Sequence, residues 1–208
     1  AAIKRKDVLL ERSPSSPDDE TAVGHDFINA FLPRALRRPA EARETAAYTK
    51  LFDDNHAAHN FDVALVLTMQ AVLQSPSFLY RIELGTAPAN GAATTTLDAY
   101  EMASRLSYFL WSTMPDDVLF DAAAHDQLKT PAQLAAQAAR MLDDPRAHDA
   151  VLSFHRQWLD LDKVLSANKD AATFPQWNDS LRQAMRTEAD KLIEEVVFGS
   201  GDAKLKTL

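Results

Sequence analysis

The stretch that decides the fold runs from Leu97 to Asp117 and reads LDAYEMASRLSYFLWSTMPDD. At 100° per residue it places apolar side chains on two faces that are nearly opposite each other. Only a narrow stripe, with Glu101 and Arg105 spaced to pair, is left to meet water. A helix that is apolar almost all round is normally buried between other elements. The stretch therefore predicts a buried central helix over 97–112 in an all-α domain. Its first face is Ala99, Met102, Ala103, Leu106, Phe109 and Leu110, and its second is Leu97, Tyr100, Tyr108 and Trp111.

The rest of the chain also favours helix. Of its 208 residues 46% are hydrophobic, only five are glycine, and β-branched runs are scarce. Prolines stand at positions typical of a first helical residue, where a missing N–H costs nothing. The fold class predicted is an irregular bundle of about seven or eight helices. We expect them near 17–37, 39–52, 61–73, 97–112, 115–124, 131–142, 145–160 and 178–198.

Changes in composition predict the domain organisation. Residues 1–16 form an extended segment with one short strand at 7–11, which we interpret as the tail of an upstream domain. A small helical subdomain over 17–84 is followed by a linker-like stretch at 85–95, rich in turn-forming residues. The main helical subdomain then covers 96–208. We expect the two subdomains to pack as one body.

Charge and composition exclude several functions. The net charge of −8 is opposite in sign to that of most free-standing nucleic-acid binders, so no nucleic-acid partner is expected. No apolar run approaches ~18 residues, which predicts no membrane span. The absence of cysteine excludes disulfides, thiolate ligands and a Cys-x-x-Cys-His haem attachment within this chain.

The stretch from Asp53 to Asp62 concentrates oxygen and imidazole donors and is predicted to be a loop between two helices. His56 and His59 are three residues apart, so on a helix they would share a face and could bind one metal ion. No glutamate follows His56, which excludes the His-Glu-x-x-His pattern. A solvated loop in which Asn60 caps the next helix is the other interpretation.

Glu188 is the residue whose pattern is hardest to explain. The last helix has Leu181, Met185, Leu192 and Val196 along one face, and Glu188 falls in the middle of it. A carboxylate buried there has to be paired, hydrogen-bonded or protonated.

Two interpretations of Glu188 are open. The structural one is an ion pair with Arg105, Arg140 or Arg156. The functional one is a catalytic acid or base that works with Arg105 and with His155, which lies on the helix over 145–160 next to Phe154. No nucleophile or phosphate-binding loop can be placed beside these residues from the sequence.

Several motifs follow one another along the chain. They are RRP at 37–39, SPSFLYRIE at 75–83, ASRLSYFLW at 103–111 with PDD at 115–117, RMLDDPR at 140–146, and FHRQWL at 154–159. In this order they resemble a known family, the planctomycete-specific domain proteins, which are large bacterial proteins of unknown function that also occur in myxobacteria. The resemblance covers roughly 20–200 and corresponds to two adjacent family domains that meet near the 85–95 linker.

The resemblance implies a setting rather than a reaction. Full-length relatives typically carry a signal peptide and often a c-type cytochrome domain, which implies a periplasmic or extracellular location. The partners it implies are other domains of a parent protein or a c-type cytochrome. Haem c would then belong to those other domains, and no cofactor is expected within this chain. The family supplies no catalytic residues to transfer.

These observations lead to one main functional hypothesis and two alternatives. The main one is a non-catalytic helical scaffold or interaction module of a larger exported, cytochrome-associated bacterial protein. The first alternative is the helical part of an extracellular oxidoreductase or polymer-degrading enzyme, with a buried site of Glu188, Arg105 and His155. The second is a metal-stabilised helical domain that uses His56 and His59.

Overall fold

The computed structural model describes Leu10, residues 12–86 and residues 94–199 of the chain. Within these ranges the protein has ten α-helices and no sheet, which confirms the all-α prediction. The predicted strand at 7–11 lies outside the described residues except for Leu10, which is buried. The helices are α1 Glu20–Leu36, α2 Ala42–Ala58, α3 Phe61–Leu73, α4 Pro76–Leu79, α5 Ala99–Trp111, α6 Asp117–Ala124, α7 Pro131–Leu142, α8 Pro145–Trp158, α9 Lys163–Ser166 and α10 Asp179–Phe198.

The chain divides into two compact units. The first, called the N-unit, consists of residues 1–105 and 114–129. The second, called the C-unit, consists of 106–113 and 130–208. The boundary between these two units falls inside α5, which contributes residues to both. At the predicted linker over 85–95 the described ends are joined by an antiparallel bridge between Thr86 and Thr96.

The core of the N-unit is built from α1, α2 and α3. Phe52 of α2 is fully buried at its centre, and Phe61 of α3 meets it edge to face with ring centroids 5.9 Å apart. The Phe52 ring packs so closely on α1 that a Cβ at Gly24 would lie 2.1 Å from its Cζ. Glycine at position 24 therefore permits the close contact between these two helices.

Helix α2 is longer than predicted and absorbs most of the expected loop at 53–62. It begins with a capping box in which Glu41 and Glu44 each accept a backbone N–H of the other. It continues past Phe52 to Ala58, because His56 follows one turn later and packs its ring 5.6 Å from that of Phe52. The prediction of a loop from residue 53 is wrong, whereas Asn60 caps α3 as expected.

Caps also set the helix starts of the C-unit. Thr130 and Gln133 form a capping box at the start of α7, with Pro131 in the first helical position. Asp144 accepts the N–H of Arg146 at the start of α8, and Asn178 accepts that of Leu181 at the start of α10. The polar residue before each helix therefore fixes its first turn.

Helix α5 is less buried than its composition predicts. Its buried side chains are Ala103, Ser107 and Trp111, which are four residues apart and form one stripe. Phe109, expected on the main buried face, is 79% exposed, so that part of the prediction is wrong. Met102, Leu106 and Leu110 of the first face and Leu97, Tyr100 and Tyr108 of the second are half-buried, so both predicted faces are covered only in part.

Among the described residues, no helix combines the length and the apolar character that a membrane crossing requires.

Candidate functional site

Arg105 belongs to the N-unit, where it forms an exposed ion pair with Glu83. The Arg105 Nε donates to Glu83 Oε1 at 3.0 Å, and a second guanidinium nitrogen donates to the other oxygen. This two-pronged bond to a carboxylate raises the pKa of Arg105. Two of the family motifs, SPSFLYRIE and ASRLSYFLW, are therefore joined through these two side chains.

Glu101 anchors the same stretch of chain one turn earlier on α5. Its carboxylate accepts the backbone N–H groups of Leu84, Gly85 and Asp98 at 2.7, 3.0 and 2.8 Å. Partial burial raises the pKa of Glu101, but these backbone hydrogen bonds outweigh it and leave the pKa below its usual value. The Glu101 carboxylate therefore stays ionised, and its role is to accept these backbone hydrogen bonds.

His155 is buried in the C-unit on α8. Its Nδ1 lies 2.8 Å from the carbonyl oxygen of Val151, one turn earlier, and must donate because a carbonyl only accepts. The ring packs against Phe154 and Trp158, with centroids 5.2 and 6.0 Å away. The contacts of His155 are those of a structural histidine that packs against aromatic side chains of its own helix.

Glu188 also belongs to the C-unit, but it is exposed, and the prediction of its burial is wrong. Helix α10 instead buries Arg186, Ile193 and Val196. That stripe lies roughly 100° around the helix axis from the face that holds Glu188, at 3.6 residues per turn. Of the apolar face that the spacing favoured, Val196 is buried and Leu181 is half-buried, whereas Met185 and Leu192 are exposed.

Arg156, expected among the partners of Glu188, binds Asp190 instead. Its Nη2 and Nε donate to the two carboxylate oxygens at 2.7 and 3.1 Å. Arg186 donates to Asp190 as well, and its Nε donates to Asp162 at 2.7 Å. Hydrogen bonds from Arg156, followed by those from Arg186, lower the pKa of Asp190 despite its partial burial. This network joins α8, the segment before α9, and α10.

A second cluster, which we call the Trp111 cluster, is formed by Trp111, Arg140, Met141, Asp144 and Arg146. Trp111 is buried, and its indole N–H donates to the carbonyl of Met141 at 2.8 Å. The Arg146 guanidinium lies 3.5 Å from the centre of the ring, and that of Arg140 lies 5.4 Å away. Hydrogen bonds from Arg146 lower the pKa of Asp144 to about 2. The RMLDDPR motif therefore packs around the tryptophan of ASRLSYFLW.

Arg37 of the RRP motif also joins two motifs of the chain. It is buried, and its Nη2 donates to the backbone oxygens of Ser77, Phe78 and Tyr80 at 2.7, 3.2 and 3.0 Å. These are carbonyls at the end of the short helix α4, which lack partners within the helix. The sequence offered a signal for this role, since RRP and SPSFLYRIE recur together in the resemblance, but nothing in either motif alone shows the contact.

The two histidines proposed as metal ligands differ in their surroundings. His56 lies on α2, with its Nε2 2.9 Å from a Glu20 carboxylate oxygen and its Nδ1 3.4 Å from the Thr21 hydroxyl. His59 is exposed and follows the last residue of the helix. In residues 12–86 and 94–199 no group of three or more His, Cys, Asp or Glu side chains is arranged to hold a metal ion. The metal site stays a prediction.

Fold and site together define an all-α protein whose charged and aromatic motif residues join its own helices. Residues 97–208 match the family PSD4, described as a protein of unknown function (DUF1592). The chain therefore belongs to the PSD4 family, which confirms the resemblance to planctomycete-type proteins. Residues 24–83 match a second family, PSD5, also described as a protein of unknown function (DUF1595). No curated protein and no solved structure matches the chain.

Proposed function

We propose that this chain is a non-catalytic helical interaction module of a larger exported bacterial protein. One observation carries the proposal: the motif side chains that could do chemistry are engaged in holding the chain's own helices. Arg37 binds the end of α4, Arg105 binds Glu83, and Arg156 binds Asp190. Residues used in this way position helices rather than face a substrate.

Exposed apolar side chains of the C-unit support the same proposal. Phe154 and Trp158 of the FHRQWL motif stack on each other with ring centroids 5.8 Å apart, and both are more than half exposed. Phe109 of ASRLSYFLW is exposed as well. Exposed apolar residues that cluster in this way are typical of protein–protein contact surfaces.

The setting of the module follows from the family resemblance. We place it in the periplasm or outside the cell, with the other domains of its parent protein or a c-type cytochrome as partners. The chain has no cysteine to bind haem c covalently, so the haem would belong to those partners. In this proposal the chain contributes binding surface and carries no cofactor itself.

Sedimentation velocity tests the proposal directly. The 208-residue chain is mixed with the separately produced c-type cytochrome domain of its parent protein, and the boundary is followed by haem absorbance. We expect the haem to sediment faster in the presence of the chain, because the cytochrome joins a heavier complex. A c-type cytochrome from an unrelated protein serves as the control. A haem boundary that is the same with and without the chain would contradict the proposal.

A further inference from the structure

Helix α10 carries a line of side chains that we call the α10 seam: Leu181, which is half-buried, and Met185, Glu188 and Leu192, which are exposed. Met185 is 43% exposed and Leu192 49% exposed, and Glu188 between them is exposed too. The spacings of four, three and four residues are those of the apolar seam of a coiled coil. The seam is separate from the stripe of α10 that the C-unit buries.

A neighbouring stripe of α10, roughly 100° around the axis from the seam, packs against the C-unit. Arg186 and Asp190 belong to the ion-pair network with Arg156, and Ile193 is buried. The ring of Phe198 stacks on that of His148 from α8, with centroids 3.8 Å apart. These contacts fix the rotation of α10 and therefore keep the seam directed outward.

We propose that the α10 seam binds an amphipathic helix of a partner domain, with an apolar seam of its own and a lysine or arginine opposite Glu188. The proposal rests on the proposed function, since it assigns the binding surface of the interaction module. Helices recognise each other in this way when apolar residues at i, i+3, i+4 and i+7 meet an apolar surface. The apolar residues would supply the contact area, and the central charge pair would determine the specificity for the partner.

The position of Glu188 determines the chemistry of the partner. A carboxylate that becomes covered by an apolar helix loses its water and has to gain a cation or take up a proton. A basic side chain on the facing helix provides that cation. The charge at the centre of the seam therefore favours a basic partner helix over an apolar or acidic one.

A second copy of this chain is a poorer occupant for the same reason. In a parallel pair of α10 helices, each Glu188 would face the Glu188 of the other copy. In an antiparallel pair that matches Leu181 with Leu192, each Glu188 would face Met185. The four seam residues include no cation to compensate the covered carboxylate, and the exposed Lys191 flanks the seam at its rim, where a charge pair is worth little.

Two designed helical peptides about three heptads long test this proposal. Both have leucine along the seam, and they differ only in a lysine or a glutamate at its centre. Their binding to the 208-residue chain is measured by fluorescence anisotropy. We expect the lysine peptide to bind more tightly than about 100 µM, and the glutamate peptide to bind about tenfold more weakly or worse. Glu188→Lys should reverse this preference.

Variants of the chain provide the controls. Met185→Ala combined with Leu192→Ala should weaken binding of the lysine peptide by about tenfold or more, since these side chains supply the apolar contact. Leu142→Ala is the matched control: Leu142 is 43% exposed but lies on α7, and its loss should leave binding unchanged. Thermal unfolding of each variant shows that it is folded.

Three results would overturn the proposal. The first is that the two peptides bind the chain equally tightly. The second is that the double-alanine variant binds the lysine peptide as tightly as the wild type does. The third is that the chain forms a dimer at neutral pH and that the double-alanine variant is monomeric. The proposed function can fail separately, because it depends on the parent's cytochrome and not on the peptides. If the chain binds the cytochrome but binds both peptides equally, the proposed function stands and the proposal about the α10 seam is contradicted.

Discussion

Arg37 shows how a single residue connects two motifs of this family. Its backbone has φ +61°, in the left-handed region that side chains with a Cβ disfavour by about 1–2 kcal/mol. The residue keeps this conformation because its guanidinium then reaches three backbone oxygens of residues 77–80. The hydrogen bonds offset the backbone cost and terminate both α1 and α4.

Removing this side chain should destabilise the N-unit. Arg37→Ala leaves three partly buried carbonyl groups without their donor, and we expect the free energy of unfolding to fall by about 2–4 kcal/mol. Urea denaturation followed by circular dichroism measures the change. Arg34→Ala is the control, since Arg34 lies on the same helix in an exposed ion pair with Asp117, which is worth about 0–1 kcal/mol. Equal stability of the two variants would contradict the role of Arg37.

At the scale of single helices, local signals predicted some boundaries well. The bounds of α3 and α7 agree with those expected from sequence, because Asn60 and Thr130 cap their first turns. The end of α2 differs from the prediction, since its last turn also depends on the contact of His56 with Glu20, which lies 36 residues earlier in the chain. A helix start set by a capping residue can be predicted from the local sequence, whereas a helix end set by contacts with other helices cannot.

The orientation of α10 could not be predicted from its own sequence. Periodicity favoured the stripe through Leu181 and Leu192, because arginine at position 186 makes the other stripe look polar. Arg186 is nevertheless buried, since Asp162 and Asp190 neutralise it. The candidate site of Glu188, Arg105 and His155 depended on the burial of Glu188, which is exposed in the structure.

The network around Asp190 should make stability depend on pH. The folded-state pKa of Asp190 lies below its value in the unfolded chain, about 3.9, so the unfolded state binds more protons in this range. Its contribution to stability is therefore full well above pH 4 and is lost as the pH falls through the folded-state pKa. We expect Asp190→Asn to lower stability at pH 7 and to flatten the loss of stability below about pH 5.

Chemical denaturation at a series of pH values measures this effect. Asp179→Asn is the matched control, because Asp179 lies on the same helix but is almost fully exposed in its pair with Arg182. This variant should follow the wild-type pH dependence. An Asp190→Asn variant whose stability still falls with acid as steeply as that of the wild type would show that Asp190 does not carry the effect.

At the scale of the whole molecule, the two units differ in how they use apolar residues. The N-unit has a continuous core that includes Phe27, Ile28, Phe52 and Phe61. The described part of the C-unit leaves more large apolar side chains exposed than it buries. Its buried apolar residues are Trp111, Met141, Ala147, Leu152, Ile193 and Val196, and its exposed ones are Phe109, Leu142, Phe154, Trp158, Leu159, Phe174, Met185 and Leu192.

Such a distribution is typical of a domain that completes its apolar surface against a partner. Ion pairs and cation–π contacts hold the C-unit together where apolar burial is sparse, as in the Trp111 cluster and the Asp190 network. Net charge adds a preference for basic partners, since the chain carries −8 overall. These features are the physical basis on which we propose an interaction module.

Hydrogen exchange tests this account most directly. Backbone amides of the chain are followed alone and in the presence of the c-type cytochrome domain that we propose as its partner. We predict that peptides covering 181–192 gain protection in the mixture, because a docked helix suppresses local opening of α10. The gain should disappear in the Glu188→Lys variant. Protection that is unchanged throughout the chain, or that increases around His155 and not along the α10 seam, would contradict the account.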